Sequence, residues 1–301
     1  MEKQFKQIVC VDNTNLQPWA LEKLARYSEK PIKLFNEPPA SDAEIVERIG
    51  DADAFLVSWG TKISANVIEQ APNLQYIGMC CSLYSKESAN VDIDAAEKRG
   101  ITVKGVRDYG DEGVVEFVFA QLINLGKGMG KHQWKPKQTE LKGKTLGIIG
   151  MGTLGSMVAQ VAVAFGMDVL YFSRTRKPDL ETVHIRYAPL EELLPQADAI
   201  TTHLPRNTHL LGKKEFDLMK PNSVLINTSL GATYEIDAFS KWASQAGNFA
   251  IVDIDGALGN EAAHQALPNV ICIDRISGMT DAAFRRLSEK VLANVEEYLT
   301  L

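Results

Sequence analysis

The stretch GIIGMGTLGSMVAQVAVAFG, residues 147–166, constrains the fold of this chain more than any other. Leu146 to Ile149 read as a buried strand, and Gly150, Gly152 and Gly155 close it in GxGxxG spacing before a helix that runs to about Phe165. With the apolar run MDVLYF following, this is the strand–turn–helix–strand context in which the spacing binds a dinucleotide. Gly150 allows the tight turn, Gly152 lets backbone approach a pyrophosphate, and Gly155 lets helix and strand pack closely. The pyrophosphate then rests on the helix N-terminus, against Gly150, Gly152, Thr153, Leu154 and Gly155.

The same alternation fills the chain. KQIVCV, PIKLF, AFLVS, LQYIGMC and ITVKGV are separated by helical patterns in the first hundred residues, and DAITTHL, SVLINT, FAIVDI and VICI follow MDVLYF. Short apolar runs with helices between them imply parallel sheets covered on both faces. At 301 residues the chain exceeds what one core organises, so two such domains are expected. Residues 111–125, DEGVVEFVFAQLINL, are apolar almost all round and predict a helix buried on nearly every side, as one wedged between two domains would be. The Gly-, Lys- and Pro-rich run GKGMGKHQWKPKQTELKGK after it reads as a flexible linker. The tail from Thr280 predicts a final helix with Thr280 as N-cap and Phe284, Leu287, Val291, Val295 and Tyr298 as one apolar stripe.

Composition narrows the function. A net charge of −6 argues against a nucleic-acid partner, and an apolar fraction of 45% with no membrane-length run argues for a soluble chain without membrane association. The opening MEKQFKQIVC is too short in apolar residues for a signal peptide, so the expected location is cytoplasmic. Cys10, Cys80, Cys81 and Cys272 read as small buried hydrophobes of a reducing compartment, with a vicinal Cys80–Cys81 disulfide or thiol sensor as the alternative. No histidine or cysteine spacing suggests a metal site.

The end of the second strand bears on which dinucleotide binds. An acidic residue there holds the ribose hydroxyls of NAD; this chain has YFSRTRK, with Ser173 at that place and Arg174, Thr175, Arg176 and Lys177 beyond it. Serine and a guanidinium fork suit a ribose phosphate, so NADP is expected, with NAD the alternative and a solvated basic loop the bland reading.

The order of segments resembles the D-isomer-specific 2-hydroxyacid dehydrogenases over nearly the whole chain. The matching pieces are NLQYIG, VDIDAAEKRGITVKG, GDEGVVEFVFAQLI, LKGKTLGIIGMGTLG, THLPRNTHLLGKKEFDLMKPNSVLINTSLG, AIVDID and NVICIDRISGMT. The resemblance implies an α/β protein of two doubly wound parallel-sheet domains. A flavodoxin-like substrate domain of residues 1–104 plus 284–301 would carry an inserted Rossmann cofactor domain of residues 105–283, with the active site in the cleft between them. His203, Leu204, Pro205, Thr208, Asn227, Thr228, Ser229, Asp253 and Gly278 match positions along the cofactor crevice, Asp253 meeting the nicotinamide amide. A solvated strand end is the bland reading of Asp253, and a structural histidine that of His203.

The family's chemistry uses a histidine that protonates the carbonyl oxygen, a glutamate that keeps it charged and an arginine that grips the substrate carboxylate. In this chain the arginine position is Leu230, the glutamate position aligns with Leu258 (Glu261 lies nearby), and the histidine position is Arg275. Arginine cannot serve as a general acid at neutral pH, though it binds anions and stabilises an oxyanion. Asp274 would pair with Arg275, and Leu230 and Leu258 would make the site less polar. The family's short glycine turn is replaced by GMCCSLYSKESANVDI, whose longer 80–91 loop brings Ser82, Tyr84 and Lys86 toward the substrate or is a surface excursion. The segment before LKGK, which contributes dimer contact in the family, is short here, which weakens the expectation of a homodimer.

Two functions follow. One is an NAD(P)-dependent oxidoreductase of this type with altered substrate and chemistry, in which Arg275 binds an anionic small molecule and water, Tyr84, Lys86 or His203 supplies the proton. The other is a non-catalytic NADP(H)-binding sensor or interaction protein.

Overall fold

The computed structural model describes residues 4–205, 208–259 and 261–300. The chain divides into two compact units, Met1–Tyr109 with Thr280–Leu301, and Gly110–Met279. The division falls slightly beyond residue 104 and before residue 284, because the fifth strand still pairs within the first sheet and the last helix begins at Asp281.

The first unit threads β1 (Ile8–Cys10), α1 (Pro18–Leu24), β2 (Lys33–Leu34), α2 (Asp42–Ile49), β3 (Ala54–Val57), α3 (Ala65–Glu69), β4 (Tyr76–Ser82), α4 (Ile93–Lys98) and β5 (Thr102–Val106). Its strands pair in parallel in the order β2-β1-β3-β4-β5, which reverses direction at β1 and β3 as in flavodoxin-like folds. Gly78 faces Lys104 but Ser82 faces Val106, so β4 carries extra residues where CCSL enters.

The second unit begins with α5 (Asp111–Lys127) and continues through β6 (Thr145–Ile149), α6 (Thr153–Ala164), β7 (Asp168–Phe172), β8 (Ile185–Tyr187), α7 (Leu190–Leu193), β9 (Ala199–Thr202), α8 (Lys213–Leu218), β10 (Val224–Asn227), α9 (Ile236–Ala243), β11 (Phe249–Val252), α10 (Glu261–Gln265) and β12 (Val270–Cys272). All seven strands are parallel, in the order β12-β11-β10-β9-β6-β7-β8, with the switch point between β6 and β9. This is the doubly wound arrangement expected of a dinucleotide-binding sheet. Strand alternation feeds two cores: Leu146 and Ile148 of β6 pack with α5 and α6 on one face, and Ile149 packs with α9 on the other.

Two sequence expectations are revised, and one strand is added. Strand β8 escapes the hydrophobic pattern because of its three residues only Ile185 is buried. Helix α5 is not buried on nearly every side: Glu112, Glu116, Ala120 and Asn124 form an exposed stripe at four-residue spacing. The run after it is no free linker. Trp134 is 3% exposed inside the α5–α6 core, its backbone N–H donates to Leu125 at 2.9 Å and its indole to the Asn222 carbonyl at 2.8 Å. A buried indole with its N–H satisfied anchors the segment despite the glycines around it.

The last helix, α11 (Asp281–Thr300), belongs to the first unit. Thr280 caps it through Oγ1, which accepts from the Ala283 N–H at 3.0 Å. Leu287, Val291, Leu292 and Val295 pack with Ile8, Cys10, Leu56 and Tyr76 on the sheet face opposite α2 and α3. Burying such side chains contributes roughly 1.5–3 kcal/mol each, enough to hold a segment remote in sequence to this sheet. No helix among the described residues is long and apolar enough to cross a membrane.

Candidate functional site

The carboxyl ends of β6, β9, β10 and β11 lie side by side in the second sheet and carry most of the residues singled out above. Gly150 leaves β6 at φ +104°, a conformation that favours glycine, and its N–H donates to the Phe172 carbonyl at 2.8 Å. A Cβ at Gly150 would collide with the His203 carbonyl oxygen, and one at Gly155 with the carbonyl of Gly150 itself. A Cβ at Gly152 would meet nothing within 4 Å. Two of the glycines are thus needed for the fold and the third leaves open space at the start of α6. Gly152 is also the N-cap of that helix, with no side chain to satisfy its first amides. Thr153, Leu154 and Gly155 therefore offer an uncapped helix end to an anion.

The neighbouring strand ends add two unpartnered atoms: His203 Nδ1 and Thr228 Oγ1 are buried without a hydrogen-bond partner. Such groups are rare in folded proteins and are what a bound ligand satisfies. Burial pushes the His203 imidazole down to about 4, so it is neutral at physiological pH. Its Nε2 lies 3.2 Å from Thr201 Oγ1, and its main-chain N–H donates to Ile149 at 2.8 Å.

Asn227 and Asp253 have a positioning role. Asn227 Oδ1 accepts from Thr202 Oγ1 at 3.1 Å and from the Ser229 N–H at 3.0 Å, while its Nδ2 donates to the carbonyls of Gly231 at 2.9 Å and Ala257 at 3.1 Å. Every hydrogen-bonding position of the amide is used inside the fold. The Ser229 hydroxyl in turn receives the Leu204 N–H at 3.3 Å, which fixes the turn that leads to exposed Pro205 and half-buried Thr208. Asp253 is 2% exposed, and burial raises its pKa against the lowering effect of its hydrogen bonds. Its Oδ2 accepts from the Ser277 N–H at 3.0 Å and hydroxyl at 2.8 Å, and its carbonyl accepts from the Arg275 N–H at 2.7 Å. Asp253 therefore fastens the loop after β12 to the end of β11. That loop passes Asp274 at φ +56° and brings Gly278 against Gly110 and Val114.

Arg275 is exposed, and no ion pair joins it to Asp274 among the described residues, contrary to the pairing expected from sequence. Asp274 leaves β12 in a left-handed turn while the Arg275 backbone is drawn to Asp253. Leu230 is 44% exposed just beyond β10. Leu258 is fully buried in the α9-side core, because the 3-10 turn Asp255–Leu258 ends at Gly259 with φ +76° and turns it inward. The side chain of Glu261 lies outside the described residues.

At the end of β7 the basic loop is partly self-occupied. Ser173 Oγ donates to the Thr175 carbonyl at 2.6 Å, and Arg176 forms a two-pronged pair with Glu181 through Nε and Nη2, both at 2.7 Å. Tyr171 donates its hydroxyl to the same carboxylate at 2.9 Å. The guanidinium holds Glu181 down to about 2. Sequence reasoning missed Glu181, since nothing in a spacing of five residues announces that partnership.

In the first unit, Lys86 is held by Asp94 at 2.8 Å and Glu97 at 2.5 Å, and these partners raise its pKa. The Arg107 guanidinium donates to the carbonyls of Leu83 at 2.7 Å and Tyr84 at 3.1 Å and lies 5.4 Å from the Tyr84 ring centre. The 80–91 loop is thereby pinned to its own unit. Lys86 stays a charged ion-pair partner rather than a proton donor.

Two parallel sheets, one with an uncapped glycine turn at its switch point, define a two-unit α/β protein of the dinucleotide-binding class. Comparison with known proteins agrees. The profile described as D-isomer specific 2-hydroxyacid dehydrogenase, NAD binding domain, matches residues 118–272. A glyoxylate reductase of Thermococcus litoralis is 32% identical over 293 residues, covering 88% of this chain and 86% of its own. A hydroxypyruvate reductase of Blautia hydrogenotrophica is 28% identical over 317 residues, covering 97% of each. Among solved structures, an acyclic imino acid reductase in complex with NADPH and D-Arg superposes with a TM-score of 0.84 at 26% identity, covering 98% of this chain and 97% of that one. The chain belongs to the D-isomer-specific 2-hydroxyacid dehydrogenase family.

Proposed function

We propose that the protein is an NADP(H)-dependent reductase whose substrate is a small anionic imino acid rather than a 2-oxo acid. The observation that carries this is Arg275, which stands where the resemblance implies the proton-donating histidine and presents an exposed guanidinium, without an ion pair among the described residues, at the carboxyl edge of the second sheet.

The residues present fit the cofactor. The uncapped start of α6 with the open space at Gly152 suits a pyrophosphate, and the loop after β7 is basic where a ribose phosphate would lie. His203 Nδ1 and Thr228 Oγ1 are polar groups left for it along the crevice. When bound in reduced form, the nicotinamide supplies hydride.

A carbonyl that accepts hydride needs a proton on oxygen, and three of the groups nearest to hand, Arg275, His203 and Lys86, are poor acids for it. Arg275 keeps its proton, His203 is neutral with one nitrogen screened, and Lys86 is tied up in the first unit. An iminium already carries its proton: its carbon takes the hydride, the C=N electron pair moves onto nitrogen, and a neutral amine results without any acid. Arg275 would hold the carboxylate, and exposed Leu230 would leave the region apolar. The related structure named as an imino acid reductase supports the view that this scaffold accepts such a substrate. Reduction of a simple 2-oxo acid is the second reading, favoured by the 32% identical glyoxylate reductase.

The test follows NADPH absorbance with glyoxylate, pyruvate or a bulkier 2-oxo acid, each with and without ammonium or methylamine. Rates at least about tenfold higher with amine are expected, since an absent general acid costs about a hundred- to ten-thousand-fold in carbonyl reduction. Equal rates with and without amine would overturn the imine reading. Tight NADPH binding with no turnover on either substrate class would leave a dinucleotide-binding protein without catalysis.

A further inference from the structure

We propose that the amino edge of the second sheet, opposite the glycine turn, holds a second ligand site, and that this site takes a small phosphorylated molecule with an apolar body. The site is a cavity of about 480 Å³, walled by Lys131, His132 and Asn269 on its polar side and by Phe249, Leu267 and Pro268 on its apolar side. That size falls within the range of small-molecule pockets. Its residues belong to the run after α5 and to the turns that lead into β11 and β12, so it lies where those strands begin. The dinucleotide crevice lies where strands end, and the five residues of β6, at roughly 3.3 Å each, set the two edges about 16 Å apart.

Charge selects the class of ligand. The chain as a whole carries a net charge of −6, yet none of the described residues lining this cavity is acidic, and Lys131 and His132 stand in its wall. Burial and the Lys131 charge hold the His132 imidazole below its usual value, so at neutral pH it offers hydrogen bonds rather than a second charge. More cations crowd behind the wall. Lys135 and Lys144 both lie over the Trp134 ring, 5.2 and 5.3 Å from its centre, which keeps two ammonium groups close together. Lys135 Nζ donates to the Asn222 carbonyl at 2.8 Å, the same oxygen that accepts the Trp134 indole. Burial and the Lys144 ammonium, with Lys220 adding to them, push the Lys135 pKa down against the pull of Asp198. Asp198 is itself shared: Oδ1 takes Lys220 at 3.1 Å and Oδ2 accepts the Thr145 N–H at 2.9 Å. One carboxylate thus answers three ammonium groups. Asn222 joins this group to the cavity, because a Cβ on Gly247, in the cavity wall at φ +88°, would collide with Asn222 Oδ1. A concentration of positive charge beside an apolar wall attracts a multiply charged group more strongly than a single carboxylate. The Phe249, Leu267 and Pro268 side then receives the apolar body. Ser223 Oγ and Asn248 Oδ1, next in sequence to Asn222 and Gly247, are buried without a hydrogen-bond partner, as His203 and Thr228 are at the crevice edge.

Calorimetric titration with phenyl phosphate and with inorganic phosphate tests this, at low and fixed ionic strength and with saturating reduced dinucleotide filling the crevice. Phenyl phosphate is expected to bind at least about fivefold more tightly than inorganic phosphate, because burial of its ring adds to the attraction of charge. Lys131→Gln should weaken phenyl phosphate by about fivefold or more, as loss of a charge-assisted contact does. The double variant Lys135→Gln, Lys144→Gln should weaken it by about two- to fivefold through the lost potential alone. Ala246→Trp, at an exposed position of the cavity wall, should fill the space for the ring, weakening phenyl phosphate by about fivefold while inorganic phosphate stays within about twofold. Lys131 and Ala246 are both exposed, so the unfolding temperature of these two variants should match that of the unmodified protein. The proposal is overturned if phenyl phosphate binds no more tightly than inorganic phosphate, or if Lys131→Gln and Ala246→Trp leave its affinity unchanged. It is equally overturned if filling the crevice with dinucleotide abolishes the binding, which would place the anion at the glycine turn.

Discussion

The carboxyl edges of the two parallel sheets keep their polar groups in opposite ways. At the carboxyl edge of the first sheet Asp12 and Asn90 are satisfied internally: Asp12, 3% exposed, accepts from the Ser58 N–H at 2.8 Å and hydroxyl at 2.6 Å, and Asn90 donates to the carbonyls of Ser58 at 2.8 Å and Thr61 at 2.5 Å. In the second unit α6 begins without a cap, and His203 Nδ1 and Thr228 Oγ1 are buried with no partner. Buried polar groups left unpaired cost about 1–3 kcal/mol each, so a fold that keeps them at a sheet's ligand-binding edge is less stable without the ligand than it need be. The difference separates an edge built for its own integrity from one completed by a dinucleotide.

The largest expected effect would break the second edge outright. Gly155→Val places a branched side chain against the Gly150 carbonyl, where even a Cβ does not fit. Backbone rather than a flexible side chain must give way, so a loss of about 3 kcal/mol or more is expected, with cofactor binding abolished. Titration with NADPH and thermal unfolding check it. Normal binding in this variant would mean that the turn has another arrangement.

A second effect reads the same edge through pH. Burial places the His203 pKa at about 4 in the folded protein, below its ordinary 6.5. The unfolded chain therefore takes up this proton first as pH falls. The cost is absent above about pH 6.5 and grows down to about pH 4, reaching at most about 3 kcal/mol at roughly 1.4 kcal/mol per pKa unit. Urea unfolding between pH 7 and 4 should show this slope, and His203→Gln should flatten it. An unchanged slope in the variant would place the titration elsewhere.

How much of this contrast was legible in sequence follows from how local each cause is. The glycine turn could be read because its constraints, steric at Gly150 and Gly155 and open space at Gly152, lie within six residues of chain. The two-sheet plan could be read because parallel strands carry continuous apolar runs. The frame around Glu181, the docking of Trp134 and the inward turn of Leu258 could not, since each depends on a partner brought close only by the fold. Arg275 falls between: sequence placed it after a core strand, but only the structure shows its backbone drawn to Asp253 and its side chain free of Asp274.

A third, smaller effect sharpens the comparison from the first edge. Asp12→Ala leaves the Ser58 N–H and the hydroxyl proton of Ser58 without their acceptor, at a cost of about 2 kcal/mol. The loss should appear in unfolding while NADPH affinity stays within about threefold of the unmodified protein. Loss of cofactor binding with stability intact would show that the first edge also serves the dinucleotide.

The smallest effect is the most telling, because its two halves have opposite sign. Thr228→Val replaces a buried hydroxyl that has no partner with a methyl group of the same shape. With no internal hydrogen bond to lose and a desolvated polar group removed, the cofactor-free protein should gain about 1 kcal/mol. If the hydroxyl is kept for the dinucleotide, affinity for NADPH and NADH should fall together, by roughly five- to tenfold for one neutral hydrogen bond. Thermal unfolding without cofactor and calorimetry with it measure the two halves separately. Higher stability with weaker binding is the trade expected of a ligand-completed edge. Higher stability with unchanged binding would make the unpaired hydroxyl an accident of packing, and the contrast between the two sheets would then rest on the uncapped helix and His203 alone.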